Sequence, residues 1–393
     1  MSLKKISEKF IISKLKLIKN GNLKLVNYDG KVYHFGDFES NLSADIKINN
    51  SGFYLNLILG GSSALGEAHI KKDFFSENLT NLIELSAKNI NLIYKFSGSL
   101  KLQTIKNLIK RLFASNTRSN SKEYISKHYD LGNEFFSLWL DKTLTYSSAI
   151  FDDSKNNLEE AQINKYKKLI NLIKPKVGDK VLEIGCGWGG FAEYLGKNFD
   201  VKLDCITISK KQYEFAKERI QKNQLNDKIN IYMKDYRDIK NKYNAIASIE
   251  MIEAVGKNYL SSYFNTIKSN LSKNGKAAIQ AITISDDLFD RYKTKQDFIQ
   301  KYIFPGGFLP SKKSLYSLSS TRGMSIDKYE SYGLHYSNTL KLWRDEFLNK
   351  WDYISKQGFD LTFKRMWHFY LSYCEAGFKS KNIDLIQFSL QNK

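Results

Sequence analysis

A glycine-rich turn follows a short apolar run near the middle of the chain, in the segment VLEIGCGWGG at 181–190. Glycines at alternate positions let the backbone turn tightly and let a ligand approach it closely. In α/β proteins, such a turn between a strand and a helix lies at the carboxyl end of the strand, where ligands bind. We therefore predict a cofactor site at Gly185, Cys186, Gly187, Trp188 and Gly189.

The acidic residue Glu183 indicates which cofactor this turn binds. It precedes the first glycine by two residues, in the pattern E-x-G-x-G-x-G, whereas dinucleotide-binding turns have the pattern G-x-G-x-x-G. The first pattern is the methyltransferase form, so we predict S-adenosylmethionine as the cofactor, with a degenerate, purely structural fold as the alternative. Further contacts are expected where the next two strands end, from Thr207, Ser209 and Gln212 to the ribose and from Asp235 and Tyr236 to the adenine.

The elements around the turn alternate between apolar strands and helical stretches from about residue 123 to the end of the chain. This alternation predicts an α/β fold with a mostly parallel, doubly wound sheet, which is the Rossmann-like class I methyltransferase fold. Strands are predicted at 179–185, 201–208, 229–233, 244–251 and 275–284. An aromatic insertion is expected at about 285–330, followed by helix at 338–378.

The segment before the catalytic unit has a different pattern. Residues 1–94 predict a small α+β domain, with short alternating strands such as LKLVNY, KVYHF and ADIKI and a helix capped by Ser76. No catalytic cluster is visible there. Residues 95–122 are rich in lysine and arginine and predict a basic amphipathic helix and a linker. Such a helix can lie on an anionic bilayer, and an ordinary helix packed on a neighbouring domain is an equal alternative.

Composition limits the class of protein. The chain has 393 residues, enough for two domains, with 61 basic and 41 acidic residues and a net charge of +20. This excess indicates an anionic partner such as nucleic acid or a membrane surface, although biased base composition would also produce it. Three cysteines and five histidines have no zinc-site or disulfide spacing, so we predict no metal and a reducing cytoplasm. The apolar runs at the N-terminus are too short for a signal peptide or membrane span.

The segment after the fourth predicted strand argues against a nucleic-acid substrate. Enzymes that methylate exocyclic base nitrogens commonly carry an Asn/Asp-Pro-Pro-aromatic turn at this place. This chain has only three prolines, Pro175, Pro305 and Pro310, and carries SIEMIEAVG at 248–256 instead. We therefore expect no nucleic-acid partner, and an RNA methyltransferase is kept as a distant alternative.

Several longer motifs resemble, in order, those of the cyclopropane-fatty-acyl-phospholipid synthase family, which includes the mycolic acid methyltransferases. The resemblance covers nearly the whole chain. It implies methylene transfer from S-adenosylmethionine to a cis double bond of an unsaturated phospholipid, through a carbocation that bound bicarbonate deprotonates. It also implies a cytoplasmic enzyme bound peripherally to the inner face of the membrane. The motifs are HYDLGNEFFSLWLDKTLTYSSAIF at 128–151, VLEIGCGWGGF at 181–191, SIEMIEAVG at 248–256, FIQKYIFPGGFLPS at 298–311, HYSNTLKLWRDEF at 335–347 and FKRMWHFYLSYCEAGF at 363–378.

The resemblance also implies a set of site residues. Ser148 stands where the family usually has cysteine, and Gln280 stands where many members have histidine. Because Gln280 cannot titrate, the product stays open between a cyclopropane and a methyl- or methylene-branched chain. Bicarbonate would be held by Glu253, Tyr336, Gln280 and the main chain at Ser148 and Ile282, while Tyr146 and Ser147 would contact the cofactor.

Two further segments have implied roles in lipid binding. The N-terminal unit resembles the family's lipid-binding domain, and the aromatic segment 298–310 suits an acyl channel, with a plain core segment as the alternative. A lipid-binding protein without catalysis is the remaining alternative from another class. The oligomeric state is open, with a homodimer among the assemblies considered.

Overall fold

The computed structural model describes residues 2–90, 131–152 and 157–393. The predicted boundary at residue 94 and the predicted basic helix and linker at 95–122 lie outside these residues. In the described ranges, no helix is long and apolar enough to cross a membrane.

The N-terminal unit is built on a four-stranded sheet in the order β2-β1-β3-β4. Strands β1 and β3 are parallel, while β2 and β4 join the sheet in antiparallel pairs. The three predicted strands are confirmed. The strands are β1 Asn22–Val26, β2 Val32–Gly36, β3 Ser43–Ile48 and β4 Phe74–Phe75, and the helices are α1 Leu3–Leu15, α2 Phe53–Gly60, α3 Ala64–Ile70 and α4 Leu79–Lys88, with a 3-10 turn at Gly61–Ser63.

The predicted cap of α4 is wrong. Asn78 caps this helix, because its side-chain oxygen accepts a hydrogen bond from the Asn81 N–H at 3.0 Å. The Ser76 hydroxyl instead donates to Asp45, at 3.4 Å. An asparagine at this position satisfies an N–H of the first turn as well as a serine would.

The catalytic unit is built on a seven-stranded sheet in the order β10-β11-β9-β8-β5-β6-β7. Strands β9, β8, β5, β6 and β7 are parallel, and β11 and β10 add an antiparallel edge. The five predicted strands are confirmed, whereas β10 and β11 were not predicted. The strands are β5 Lys180–Ile184, β6 Lys202–Thr207, β7 Ile229–Met233, β8 Tyr243–Ile249, β9 Leu271–Ile284, β10 Met324–Ser331 and β11 Ile383–Asn392.

Helices cover both faces of this sheet, as its alternating order requires. The segment predicted as an insertion holds α11 to α13, and its last residues return to the sheet as β10. The helices are α5 Asn133–Ser137, α6 Leu158–Ile173, α7 Gly190–Asn198, α8 Lys210–Lys222, α9 Ile252–Val255, α10 Leu260–Asn270, α11 Asp286–Tyr292, α12 Phe298–Tyr302, α13 Lys312–Ser320, α14 Gly333–Asn349, α15 Trp351–Ser355 and α16 Leu361–Lys379, with 3-10 turns at Tyr236–Asp238 and Lys257–Tyr259.

The two units share a packed interface, centred on α16. Arg344 of α14 donates to both Glu375 of α16 and Thr80 of α4. Gly66 of α3 packs against the rings of Phe298 and Phe369, where an added Cβ would lie 2.4 Å from the first ring and 2.7 Å from the second. Since cores are close-packed, this contact fixes the N-terminal unit against the catalytic unit.

Candidate active site

The predicted glycine turn lies at the carboxyl end of β5. Gly185, Gly187 and Gly189 have φ angles of 83°, 53° and 81°, a region that favours glycine. Gly185 also lies against Met251, since a Cβ at this position would be 2.8 Å from the Met251 Cγ. The turn passes into α7, and its residues from Gly185 to Trp188 line a large cavity. Gly189 does not line it, because this residue faces Ala216 of α8.

Residues after β6 and β7 complete the wall of this part of the cavity. Thr207 and Gln212 both line it, and the Thr207 hydroxyl donates to the Gln212 Oε1 at 3.2 Å. Ser209, which was also predicted to bind the ribose, does not line the cavity. It caps α8 instead, accepting a hydrogen bond from the Gln212 N–H at 3.4 Å.

Asp235 and Tyr236, the residues predicted to flank the adenine, line the same wall. Asp235 forms a bidentate ion pair with Arg237, with nitrogen–oxygen distances of 2.8 and 2.7 Å. Arg237 was not predicted, although it also lines the cavity and stacks over the Tyr236 ring. A bidentate arginine pair holds the carboxylate in a fixed orientation.

Buried polar groups lie beneath the cofactor wall. Glu183 is 2% exposed, accepts a weak hydrogen bond from the Cys205 thiol, and has its pKa raised to about 7 by burial. Ser147 accepts a hydrogen bond of 2.8 Å from Lys165, which is fully buried and was not predicted. The Tyr146 hydroxyl is 2.7 Å from the Tyr370 hydroxyl, and both rings line the cavity.

The groups predicted to hold bicarbonate converge in the structure, but on a carboxylate of the protein. The Ser148 N–H and the Gln280 Nε2 each donate to the Glu250 Oε1 at 2.8 Å. The Tyr336 hydroxyl donates to the Glu250 Oε2 at 2.6 Å. The fifth predicted group, the Ile282 N–H, donates to the Glu253 Oε1 at 2.5 Å.

These contacts show that the residues present do not fit a bound bicarbonate. Each of the four predicted donors is already paired with the carboxylate of Glu250 or Glu253. A second anion beside these carboxylates would lack its donors and would be repelled by the charge already present. The predicted bicarbonate ligands are therefore reassigned as the donors that hold Glu250 and Glu253.

Glu250 was missed because only Glu253 was assigned from the motif SIEMIEAVG. The pattern does contain a signal, since it places two carboxylates three residues apart just after a strand. Glu250 directly follows β8 and has a φ of 49°, an uncommon conformation for a residue with a Cβ. Its N–H donates to the Gln280 carbonyl at 2.8 Å, so the turn is fixed to the neighbouring strand.

The two carboxyl groups have different environments. Burial and the charge of Glu250 raise the pKa of Glu253 to about 8, and its Oε2 has no hydrogen-bond partner among the described residues. Burial also raises the pKa of Glu250, but its three donors and the Lys165 ammonium oppose this shift. Since neighbouring carboxylates rarely both ionise, Glu250 carries the negative charge at neutral pH and Glu253 is mainly protonated.

One cavity of about 1140 Å³ joins these groups to the N-terminal unit. It reaches from the glycine turn past Glu250 and Tyr336 to apolar side chains of the insertion and of the N-terminal sheet. This exceeds the roughly 300–1,000 Å³ of ordinary small-molecule pockets. The apolar part includes Phe304 and Phe308 of the insertion and Leu25, Ile46 and Phe53 of the N-terminal unit.

A family model described as mycolic acid cyclopropane synthetase matches residues 116–388. The chain belongs to this family. Two similar proteins are each 33% identical to the chain. The tuberculostearic acid methyltransferase of Mycobacterium tuberculosis matches over 84% of this chain and 79% of its own length. The cyclopropane-fatty-acyl-phospholipid synthase of Escherichia coli K12 matches over 88% of this chain and 87% of its own length.

Solved structures of this family are similar in fold. The cyclopropane synthase MmaA2 from Mycobacterium tuberculosis aligns with a TM-score of 0.65 and 27% identity, covering 68% of this chain and 97% of that one. The mycolic acid cyclopropane synthase CmaA1, complexed with SAH and CTAB, aligns with a TM-score of 0.65 and 26% identity over 69% and 98%. The predicted family, fold class and S-adenosylmethionine-dependent methyltransferase activity are therefore confirmed.

Replacement of Gly185 by alanine tests the cofactor turn. The new Cβ would displace Met251 and strain the backbone, so we expect affinity for S-adenosylmethionine to fall about tenfold or more. Isothermal titration calorimetry measures this change. Gly30→Ala is the matched control, because Gly30 has the same left-handed conformation with nothing within 4 Å of a Cβ. Equal affinities of Gly185→Ala and wild type would contradict the assignment.

Proposed function

We propose that this protein transfers a methylene group from S-adenosylmethionine to a cis double bond in the acyl chain of a phospholipid, forming a cyclopropane. The observation that carries this proposal is the single cavity that joins the glycine turn, Glu250 and the apolar interior of the N-terminal unit. An acyl chain within it would lie beside both the methyl donor and a carboxylate. The names of the two relatives that are 33% identical support a lipid substrate.

The cavity suits the chemical requirements of this reaction. Bound S-adenosylmethionine supplies an electrophilic methyl group. An alkene is a weak nucleophile, so the protein must hold the double bond in place and exclude water from the resulting carbocation. The rings of Tyr146, Tyr336 and Tyr370 line the cavity, and the faces of aromatic rings stabilise positive charge. Closure of the cyclopropane then requires loss of a proton from the transferred carbon.

A second candidate product is a methyl- or methylene-branched acyl chain. The similarity to a tuberculostearic acid methyltransferase supports this candidate as strongly as the similarity to a cyclopropane synthase supports the first. Both products share the carbocation. They differ in the carbon that loses the proton, so the position of the base relative to the acyl chain decides between them.

We further propose that the protein is cytoplasmic and binds peripherally to anionic phospholipid membranes, with α1 at the contact. Leu3 and Ile6 of α1 are 71% and 46% exposed, whereas its buried residues are the polar Ser7 and Glu8. Phe10 of the same helix lines the cavity. An exposed apolar stripe flanked by lysines at the cavity wall favours an interfacial helix through which a lipid chain enters.

Product analysis tests the proposed reaction. The protein is incubated with isotopically labelled S-adenosylmethionine and liposomes of a monounsaturated phospholipid, and the fatty acids are examined by mass spectrometry and NMR. We expect acyl chains that have gained one CH2 unit and lost the alkene signal, with cyclopropyl protons. An exocyclic methylene or a methyl branch would establish the second candidate instead. Absence of label from lipid would contradict both.

Liposome co-sedimentation tests the contact through α1. The double variant Leu3→Ser, Ile6→Ser should bind anionic liposomes about tenfold or more weakly, because it removes apolar surface from the interface. Val177→Ser is the control, since Val177 is 82% exposed and precedes β5 at the sheet edge opposite the glycine turn. Equal binding of the double variant and the control would contradict a role for α1.

A further inference from the structure

We propose that Glu250 is the catalytic base of this enzyme, in the role that the family resemblance gives to bicarbonate. The inference rests on the proposed function, since it concerns the proton released when the acyl-chain carbocation collapses. It comes from the observation that the Glu250 carboxylate occupies the donor set predicted for the ion.

The contacts of Glu250 leave it able to accept a proton. A carboxylate has about four acceptor positions on its two oxygens. The described residues supply two donors to Oε1, from Ser148 and Gln280, and one to Oε2, from Tyr336. Oε2 therefore keeps an acceptor position, and Glu250 lines the cavity that holds the glycine turn. The three donors fix the carboxylate in place before any substrate binds.

The charges around Glu250 favour the same role. Lys165 is the cationic group that stabilises its charge, and the Lys165 ammonium is itself fully buried. Glu253, whose pKa is raised to about 8, and Tyr336, whose pKa is raised well above its ordinary value, both face Glu250 as neutral groups. Burial raises the pKa of Glu250 above that of an exposed glutamate. A charged carboxylate of raised pKa is a stronger base than an exposed one.

The backbone at Glu250 gives an independent indication. A φ of 49° is costly for a residue with a side chain, whereas glycine would adopt it readily. The backbone therefore does not require glutamate here. Strained residues of this kind cluster at active sites, where the surrounding structure holds them. The side chain, rather than the turn, accounts for the residue at this position.

The proposed step balances in atoms and charge. The π electrons of the alkene form a bond to the donor methyl carbon, and the electrons of the broken carbon–sulfur bond stay on sulfur. The second alkene carbon becomes a cation. The Glu250 carboxylate removes a proton from the new methyl group, and the electrons of that carbon–hydrogen bond close the ring. Glu250 ends as a neutral carboxylic acid and returns its proton to water after the product leaves.

Bicarbonate dependence of turnover tests this assignment. Wild type, Glu250→Gln and Glu250→Ala are assayed with unsaturated liposomes in carbon dioxide-free buffer, with and without added bicarbonate. We expect wild-type turnover to be independent of bicarbonate. Both variants should lose about 100-fold or more of turnover. Bicarbonate should partly restore Glu250→Ala, where the carboxylate site is vacated, and should not restore Glu250→Gln, where an amide of the same size fills it.

Matched controls separate catalysis from folding. Glu346→Gln alters an exposed carboxylate of α14 that pairs with Lys350 and should retain wild-type turnover. Thermal unfolding and calorimetric titration with S-adenosylmethionine should show that the Glu250 variants are folded and bind the cofactor. NMR of 13C-labelled bicarbonate gives a readout without turnover, with binding expected for Glu250→Ala and not for wild type.

The outcomes distinguish the base from the reaction. Wild-type turnover that requires bicarbonate, binding of bicarbonate to wild type, or full turnover of Glu250→Gln would each overturn the assignment of Glu250 while leaving the proposed reaction in place. A wild-type protein that modifies no lipid, with or without bicarbonate, would instead contradict the proposed reaction itself.

Discussion

The carboxylate of Glu250 is the group on which the arrangement of the active site depends. Its three donors come from distant parts of the chain: the loop after α5, strand β9 and helix α14. The sheet brings two of them together, since Ile249 at the end of β8 pairs in register with Gln280. Strand β11 then orients the Gln280 amide, because the Gln387 Nε2 donates to its Oε1 at 2.9 Å. The antiparallel edge of the sheet thus serves the active site.

Burying this charge has an energetic cost that the surrounding groups offset. An enclosed carboxylate is strongly destabilised unless it is paired and hydrogen-bonded. Glu250 has three donors and the nearby Lys165 ammonium, while Glu253 avoids a second charge by staying mainly protonated. In a cavity that excludes water, such fixed charges act strongly on a carbocation. The same groups therefore stabilise the folded site and suit it to the proposed chemistry.

The sequence predicted the features that depend on local pattern. The five parallel strands and the glycine turn follow from apolar periodicity and from glycines at left-handed positions, and both are confirmed. Strands β10 and β11 were missed because one follows the insertion and the other follows a long helix. Ser209 was misplaced because a serine before a helix can cap it as well as bind a ligand. Glu250 and Lys165 could not be assigned, because their roles depend on contacts between residues far apart in the chain.

The central claim is that Glu250 holds the negative charge of the site while Glu253 is neutral. Difference infrared spectroscopy at neutral pH tests it directly, comparing wild type with Glu250→Gln and Glu253→Gln. The first variant should lose an ionised carboxylate band, and the second should lose the carbonyl band of a protonated carboxylic acid. Loss of a protonated carbonyl band in Glu250→Gln would contradict the claim.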